Sequence, residues 1–269
     1  MPRALVNGTR IGRGCPVRLM GVINCSPESF YPGSYVLPGA VRARAEEMIA
    51  HGADMIDVGA RSTAPRSFPL APEDEMDRLH LALSELDGSG ITVSVDTTRP
   101  AVLEHCLSHD IHAANDISGL ADPAYALLVA DAGLPAFLMA SEKVPGDATT
   151  LAESLAAAER VVSRCREAGI DNYVLDPAIG LWTRQRTADL DWELCQNFAS
   201  FLAFDRPLLA AISRKSFLAG PGNIPPADRL PASLAVTAIL IASGADIVRA
   251  HDVAETAEVI RAASRVVGR

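Results

Sequence analysis

Eight short apolar runs recur along the chain, and most of them end in a residue suited to chemistry. Residues 19–23 run into Asn24. Residues 55–58 carry Asp57 within them and lead on to Ser62 and Thr63, and residues 92–95 end in Asp96. Residues 112–114 end in Asn115 and Asp116, residues 136–138 lead to Met139, and residues 173–175 end in Asp176. Residues 208–212 end in Ser213, Arg214 and Lys215, and residues 247–248 in Arg249 and His251. In a barrel of eight parallel strands all the strand C-termini open on one face, where the active site lies. The same pattern therefore predicts both a fold and a site.

Helical patterns fill the gaps, at 40–51, 73–86, 101–107, 127–132, 151–168, 190–201, 232–243 and 253–267. Acidic residues open the second, where they suit the positive end of the helix dipole, and Pro100 precedes the third as a first-turn proline. Unbroken strand–helix alternation predicts an α/β fold with a parallel sheet. The chain is 269 residues long, the length of one (β/α)8 TIM barrel, so residues 1–269 are read as a single domain with residues 1–18 as an extension leading into the first strand. A doubly wound open sheet shares the alternation, but it usually carries a G-x-G-x-x-G fingerprint after the first strand, and none is present here. The segments 26–38 and 63–72 are rich in Pro, Gly and Ser and read as lids over the mouth.

Composition narrows the function classes. No apolar run reaches the roughly 18 residues of a membrane-spanning helix, and no continuous apolar stretch follows the N-terminal arginines, so neither a membrane partner nor a signal peptide is expected. The five cysteines are odd in number and contain no Cys-x-x-Cys pair. That argues against a disulfide framework or zinc site and suits a reducing cytoplasm. A net charge of −9 disfavours nucleic acid as a partner. Any anion site must then be locally basic.

Asp96, Asn115 and Asp176 end the third, fourth and sixth runs, so the topology points all three into one mouth. A carboxylate accepts two parallel hydrogen bonds from an amino-pyrimidine edge, and an amide both donates and accepts, so the trio suits a flat heterocycle with several N–H donors. Met139 would offer the ring a soft apolar surface. Ser213-Arg214-Lys215-Ser216 and Arg249-Ala250-His251-Asp252 follow the last two strands, where barrels often hold phosphate. Asn24 could join them or give its oxygen to a hard cation. His105 and His109 have the i, i+4 spacing of a metal pair without a third ligand in the pattern. Cys25 has no histidine placed to activate it and reads as structural. Trp182 either stacks on a ring or caps the barrel.

At these residues the chain resembles the dihydropteroate synthases. The resemblance rests on Met20-Gly21-Val22-Ile23-Asn24-Cys25-Ser26-Pro27-Glu28-Ser29-Phe30, Gly52-Ala53-Asp54-Met55-Ile56-Asp57-Val58-Gly59 and Ser94-Val95-Asp96-Thr97. It continues through Asn115-Asp116-Ile117-Ser118-Gly119, Leu175-Asp176-Pro177, Ser213-Arg214-Lys215-Ser216-Phe217 and Arg249-Ala250-His251-Asp252-Val253. It implies condensation of 6-hydroxymethyl-7,8-dihydropterin pyrophosphate with 4-aminobenzoate, with release of pyrophosphate. Asp96, Asn115, Met139, Asp176 and Lys215 would hold the pterin, and Asn24, Arg249 and His251 the pyrophosphate, with Mg²⁺ at Asn24. Phe30, Thr63, Pro65, Ser213 and Arg214 would surround the aminobenzoate. Lys215, Asp96 and Arg249 would carry the chemistry, and Asp57 would order the loops. The resemblance also implies a homodimer through helices on the outside of the barrel.

Three departures concern the acceptor side. The family's Glu-Ser-Thr-Arg-Pro-Gly reads Arg61-Ser62-Thr63-Ala64-Pro65-Arg66, so the usual arginine is Ala64, and Arg61 or Arg66 could reach in its place. Ala140 follows Met139 where histidine is frequent, and the usual Gly-Phe-Gly-Lys reads Gly180-Leu181-Trp182-Thr183. A larger 4-aminobenzoate derivative, as in methanopterin-type pathways, is therefore a second acceptor class. Two other functions compete: a corrinoid-linked pterin methyltransferase, against which the Ser-Arg-Lys-Ser motif speaks, and a pterin-binding protein without transferase activity.

Overall fold

The chain opens with a hairpin of β1 (Arg3–Val6) and β2 (Thr9–Gly12), turned at Asn7-Gly8 with both residues at positive φ. Asn-Gly is the dipeptide that a two-residue hairpin turn favours, because both central positions need left-handed backbone. This element is additional to the pattern expected for residues 1–18. Its inward residues Ala4, Val6 and Ile11 are buried in one cluster with Met20, Met55, Ala113, Phe137, Val174, Leu209, Ala211 and Ile247. The hairpin thus plugs the barrel at the end away from the strand C-termini. Asn172 holds it there through paired hydrogen bonds of 2.9 and 2.8 Å with the Leu5 backbone.

The eight apolar runs form eight parallel strands in a computed structural model that describes residues 3–26, 35–61 and 70–269. They are β3 (Arg18–Asn24), β4 (Met55–Gly59), β5 (Val93–Asp96), β6 (Ala113–Asp116), β7 (Ala136–Met139), β8 (Tyr173–Asp176), β9 (Leu209–Ala210) and β10 (Ile247–Ala250). Neighbours pair in the order β8-β7-β6-β5-β4-β3-β10-β9. A bridge between Leu175 and Leu208, with the Leu175 N–H donating to Pro207 O at 2.9 Å, closes the barrel. The expected (β/α)8 architecture is what the chain adopts. Phe30 and the 62–66 motif lie outside the described residues, as does most of both expected lids.

The helices are α1 (Val41–Ala50), α2 (Pro72–Leu86), α3 (Pro100–Cys106), α4 (Pro123–Asp131), α5 (Leu151–Ala168), α6 (Ala188–Gln196), α7 (Leu230–Ala242) and α8 (Val253–Val267). Proline in the first turn starts α2, α3, α4 and α7, where its missing N–H costs nothing. Helix α4 begins earlier than its apolar pattern because Asp122 caps it, accepting from the Ala124 N–H at 2.9 Å. Helix α6 ends at Gln196, and the rest of that expected helix is a 3-10 segment, Phe198–Phe204, that returns the chain to β9. The seventh strand is correspondingly shorter than residues 208–212. No described helix is long and apolar enough to cross a membrane.

Strand side chains alternate between barrel interior and helix layer. On β4, β5, β6, β8 and β10 the interior series are Met55/Asp57, Ser94/Asp96, Ala113/Asn115, Val174/Asp176 and Ile247/Arg249. Apart from Ser94, apolar residues fill the interior toward the plugged end, and one alternation higher the same strands all carry a charged or amide side chain. That change of character is what places a reactive mouth on a packed floor. Gly119 shows how tightly the rim packs: a Cβ there would lie 2.4 Å from Met139 O, at a φ of +62°. Only glycine serves at that turn.

Candidate active site

Register brings the expected ring-binding residues together. Asp96 pairs with Asn115 across β5 and β6, and Met139 with Asp176 across β7 and β8. Asn24 ends β3, which pairs directly with β10, the strand that carries Arg249 and leads to His251.

Asp57 organises the floor. It is fully buried on β4, and its Oδ2 accepts from Asn115 Nδ2 at 2.9 Å and from Arg249 Nε at 2.6 Å. Arg249 Nη2 donates to Asp96 Oδ2 at 2.7 Å. One guanidinium thus ties two carboxylates together, and one of these also fixes the Asn115 amide. The loops that Asp57 was expected to order lie outside the described residues, and its partners here are inside the barrel. Asp57 acts through Arg249 and Asn115, because its place in the alternation turns it inward. Burial, reinforced by the Asp57 carboxylate and opposed by Arg249, pushes Asp96 up to about 7. Burial also raises Asp176, against the opposing pull of Lys215.

Lys215 follows β9. Its Nζ donates to Ile179 O and lies 4.7 Å from the centroid of the Trp182 ring. Burial pulls its ammonium down to about 8, although Asp176 and Asp191 favour the charged form. The loop carrying Ile179 and Trp182 is fixed from beneath by Arg186. This arginine pairs with Asp191 at 3.2 Å and donates to Ala178 O at 2.6 Å, and the Gly180 N–H donates to Asp191 at 2.7 Å. Neither Arg186 nor Asp191 was singled out in the sequence, because a lone charged pair on a loop and a helix start looks like surface. Both side chains are fully buried.

His251 lies with its Nδ1 3.0 Å from Ser213 Oγ. Burial, and then the charge of Arg249, lower its pKa to about 3, so the ring is neutral and offers an anion an N–H rather than a charge. Arg214 is bound on the side of the described residues. Its guanidinium clamps Asp252 at 2.8 and 2.7 Å and donates to Pro226 O and Ala227 O at 2.8 and 2.6 Å, while the loops expected to share the aminobenzoate with it lie outside the described residues. A planar fork with five donors finds a carboxylate and two carbonyls among its partners here, and so ties the β9 and β10 loops together.

A second buried carboxylate, Glu75 at the start of α2, accepts from Thr97 Oγ1 at 2.7 Å and from Arg99 Nη1 at 2.9 Å, with Arg61 Nε 3.3 Å away. Arg61 also donates to Thr98 Oγ1 at 2.9 Å, and Arg99 to Leu70 O at 2.7 Å. Both ends of the second loop are therefore anchored on Glu75, which the sequence reading took only as first-turn acidity. Arg61, one of two candidates to replace the absent family arginine, is committed to this anchor. Phe30, Thr63, Pro65 and the other candidate, Arg66, lie outside the described residues. Cys25 is buried, and burial pushes its thiol up to about 12, which leaves it unreactive. His105 is exposed on α3, and among the described residues no group of three or more His, Cys, Asp or Glu could hold a metal ion.

A barrel mouth that sets acceptors for a planar ring beside a guanidinium and a neutral imidazole defines an enzyme for a polar heterocycle with an anionic arm. Residues 20–251 match the sequence profile of the family described as pterin binding enzyme. The dihydropteroate synthase of Escherichia coli K12 is 33% identical over 96% of this chain and 94% of its own length. A solved dihydropteroate synthase of Coxiella burnetii, in complex with pteroic acid, superposes with a TM-score of 0.85 at 28% identity, covering 99% of both chains. That of Xanthomonas albilineans with 4-aminobenzoic acid gives 0.86 at 28% identity, covering 98% of both. The chain belongs to the pterin-binding enzymes and, within them, to the dihydropteroate synthases.

Proposed function

We propose that the chain condenses 6-hydroxymethyl-7,8-dihydropterin pyrophosphate with 4-aminobenzoate and releases pyrophosphate. The observation that carries this reading is the joining, in one mouth, of Asp96, Asn115, Asp176 and Lys215 to Arg249 and His251. The solved relatives that hold pteroic acid and 4-aminobenzoic acid support the same substrate classes.

Asp176 and Asn115 would accept from and orient the amino-pyrimidine edge, and Lys215 would donate to the ring carbonyl. His251 and Arg249 would take the pyrophosphate oxygens. As the methylene C–O bond breaks, its electron pair leaves with the pyrophosphate, and the pterin ring shares the positive charge left on the methylene. Asp96, ionised and close to that ring, stabilises the cation. The aniline nitrogen then forms the new C–N bond and loses its proton, with no strong general base required. Asn24 fits a magnesium ion that arrives with the substrate, because its amide oxygen is a hard donor and Mg²⁺ takes most of its remaining ligands from phosphate and water. Bound there, the ion would neutralise charge on the leaving group.

The two shifted groups set a pH window. Asp96 works as a carboxylate, above about 7, and Lys215 as an ammonium, below about 8. We expect kcat/KM to rise through the first value and fall through the second, with a maximum between them. A profile flat from pH 6 to 9.5 would remove both roles. A homodimer through the outer helices is the expected assembly, on the family resemblance. Light scattering at micromolar concentration should give twice the mass of one chain, and a monomer would contradict it.

A further inference from the structure

Trp182 has no part in the chemistry above, yet three contacts fix it. Its Nε1 donates to Ala178 O at 3.0 Å. Its ring is pressed so closely on Gly146 that a Cβ there would meet it at 2.4 Å. Its face covers the Lys215 ammonium, 4.7 Å from the ring centroid. On the other sides that ammonium meets Ile179 O and the Gly180 backbone, where a Cβ would stand 3.2 Å from Nζ.

We propose that Trp182 is a positioning residue that holds the Lys215 ammonium in its ring-facing orientation and keeps water from its outer side. The inference deepens the reading of Lys215 as the pterin carbonyl's donor and rests on it. A lysine side chain has many rotamers, so an unsupported one spends little time in a single pose. An indole face both attracts the ammonium and excludes solvent from it. The charged groups that bear on Lys215 are Asp176, Asp191, Arg186 and Arg249, of which Arg186 shares the tryptophan's loop. Removing the ring leaves all four in place and admits water.

Two measurements test this. In the pH dependence of kcat/KM, Trp182→Ala should move the alkaline limb upward by about one unit, because re-entering water relieves the burial that is the largest influence on the ammonium and outweighs the lost attraction of the ring. It should also lower kcat/KM about tenfold, while Trp182→Phe, which keeps a flat face, holds the limb near its original place. An unmoved limb in Trp182→Ala would overturn the proposal. Equal behaviour of the two variants would too, because the Nε1 hydrogen bond rather than the ring would then be responsible. The second needs neither turnover nor a Trp182 variant, so it separates failure of this contact from failure of the proposed reaction. Trp192, which is 38% exposed and packs on Phe217, is the only other tryptophan and is removed as Trp192→Phe. The remaining fluorescence should change with a midpoint near pH 8, and Lys215→Met should abolish that step. A step that survives Lys215→Met, or no step in the parent, would contradict the contact.

Discussion

Lys215→Ala is expected to lower kcat/KM by about 10²–10³-fold, the usual loss for one preorganised donor, while the barrel remains folded. The side chain ends in a closed setting: Ile179 O accepts from it, Trp182 covers it, and Asp176 and Asp191 supply the opposing charge. Its ammonium needs no reorganisation when the ring carbonyl arrives, so the interaction is lost outright with the amine. Burial already pulls the group down to about 8, and truncation therefore removes a cation that was costly to keep buried. Stability should change little. Steady-state kinetics with circular dichroism as the control decides the matter, and a variant with native dichroism and an unchanged rate would remove Lys215 from the mechanism.

Arg249→Met should be the more damaging change to the fold. The guanidinium ties Asp57, which is wholly buried, to Asp96. Its removal leaves two neighbouring carboxylates, one wholly and one partly buried, without this cation, a situation that typically costs about 3–5 kcal/mol when both are buried and less here. The sign of the pH dependence follows from Asp96, whose folded pKa already lies near 7, above its ordinary value. A carboxyl with a raised folded pKa contributes stability at acid pH and loses it as pH rises through that value. Without Arg249 the rise is larger, so the variant's deficit should be greatest at pH 8 and narrower at pH 5. Chemical denaturation at both values checks this, and a deficit independent of pH would show that the cost is one of packing rather than charge.

Most of the barrel was legible because each strand is a short apolar run whose last residue changes character, and because prolines and caps mark the helix starts. Asp96, Asn115 and Asp176 could be read for the same reason, since a strand end points where the topology says it must. The inner partners were harder to see. Asp57 looks like an interruption in an apolar run until register turns it toward Arg249. Glu75 and the Arg186–Asp191 pair look like solvated charges until burial shows otherwise. The clamp of Arg214 on Asp252 and two carbonyls was not legible, because sequence position cannot say which way a long guanidinium turns. The hairpin had a plain signal in Asn7-Gly8 that the strand count, already complete at eight, left unused.

The measurement that bears most directly on this account is pyrophosphate release from 6-hydroxymethyl-7,8-dihydropterin pyrophosphate with Mg²⁺, run with and without 4-aminobenzoate. The account predicts sustained release only when the amine is present, with dihydropteroate formed in equal amount. Binding of the dihydropterin without amine-dependent release would contradict it, because the mouth would then hold a ring and an anion without joining the one to an acceptor.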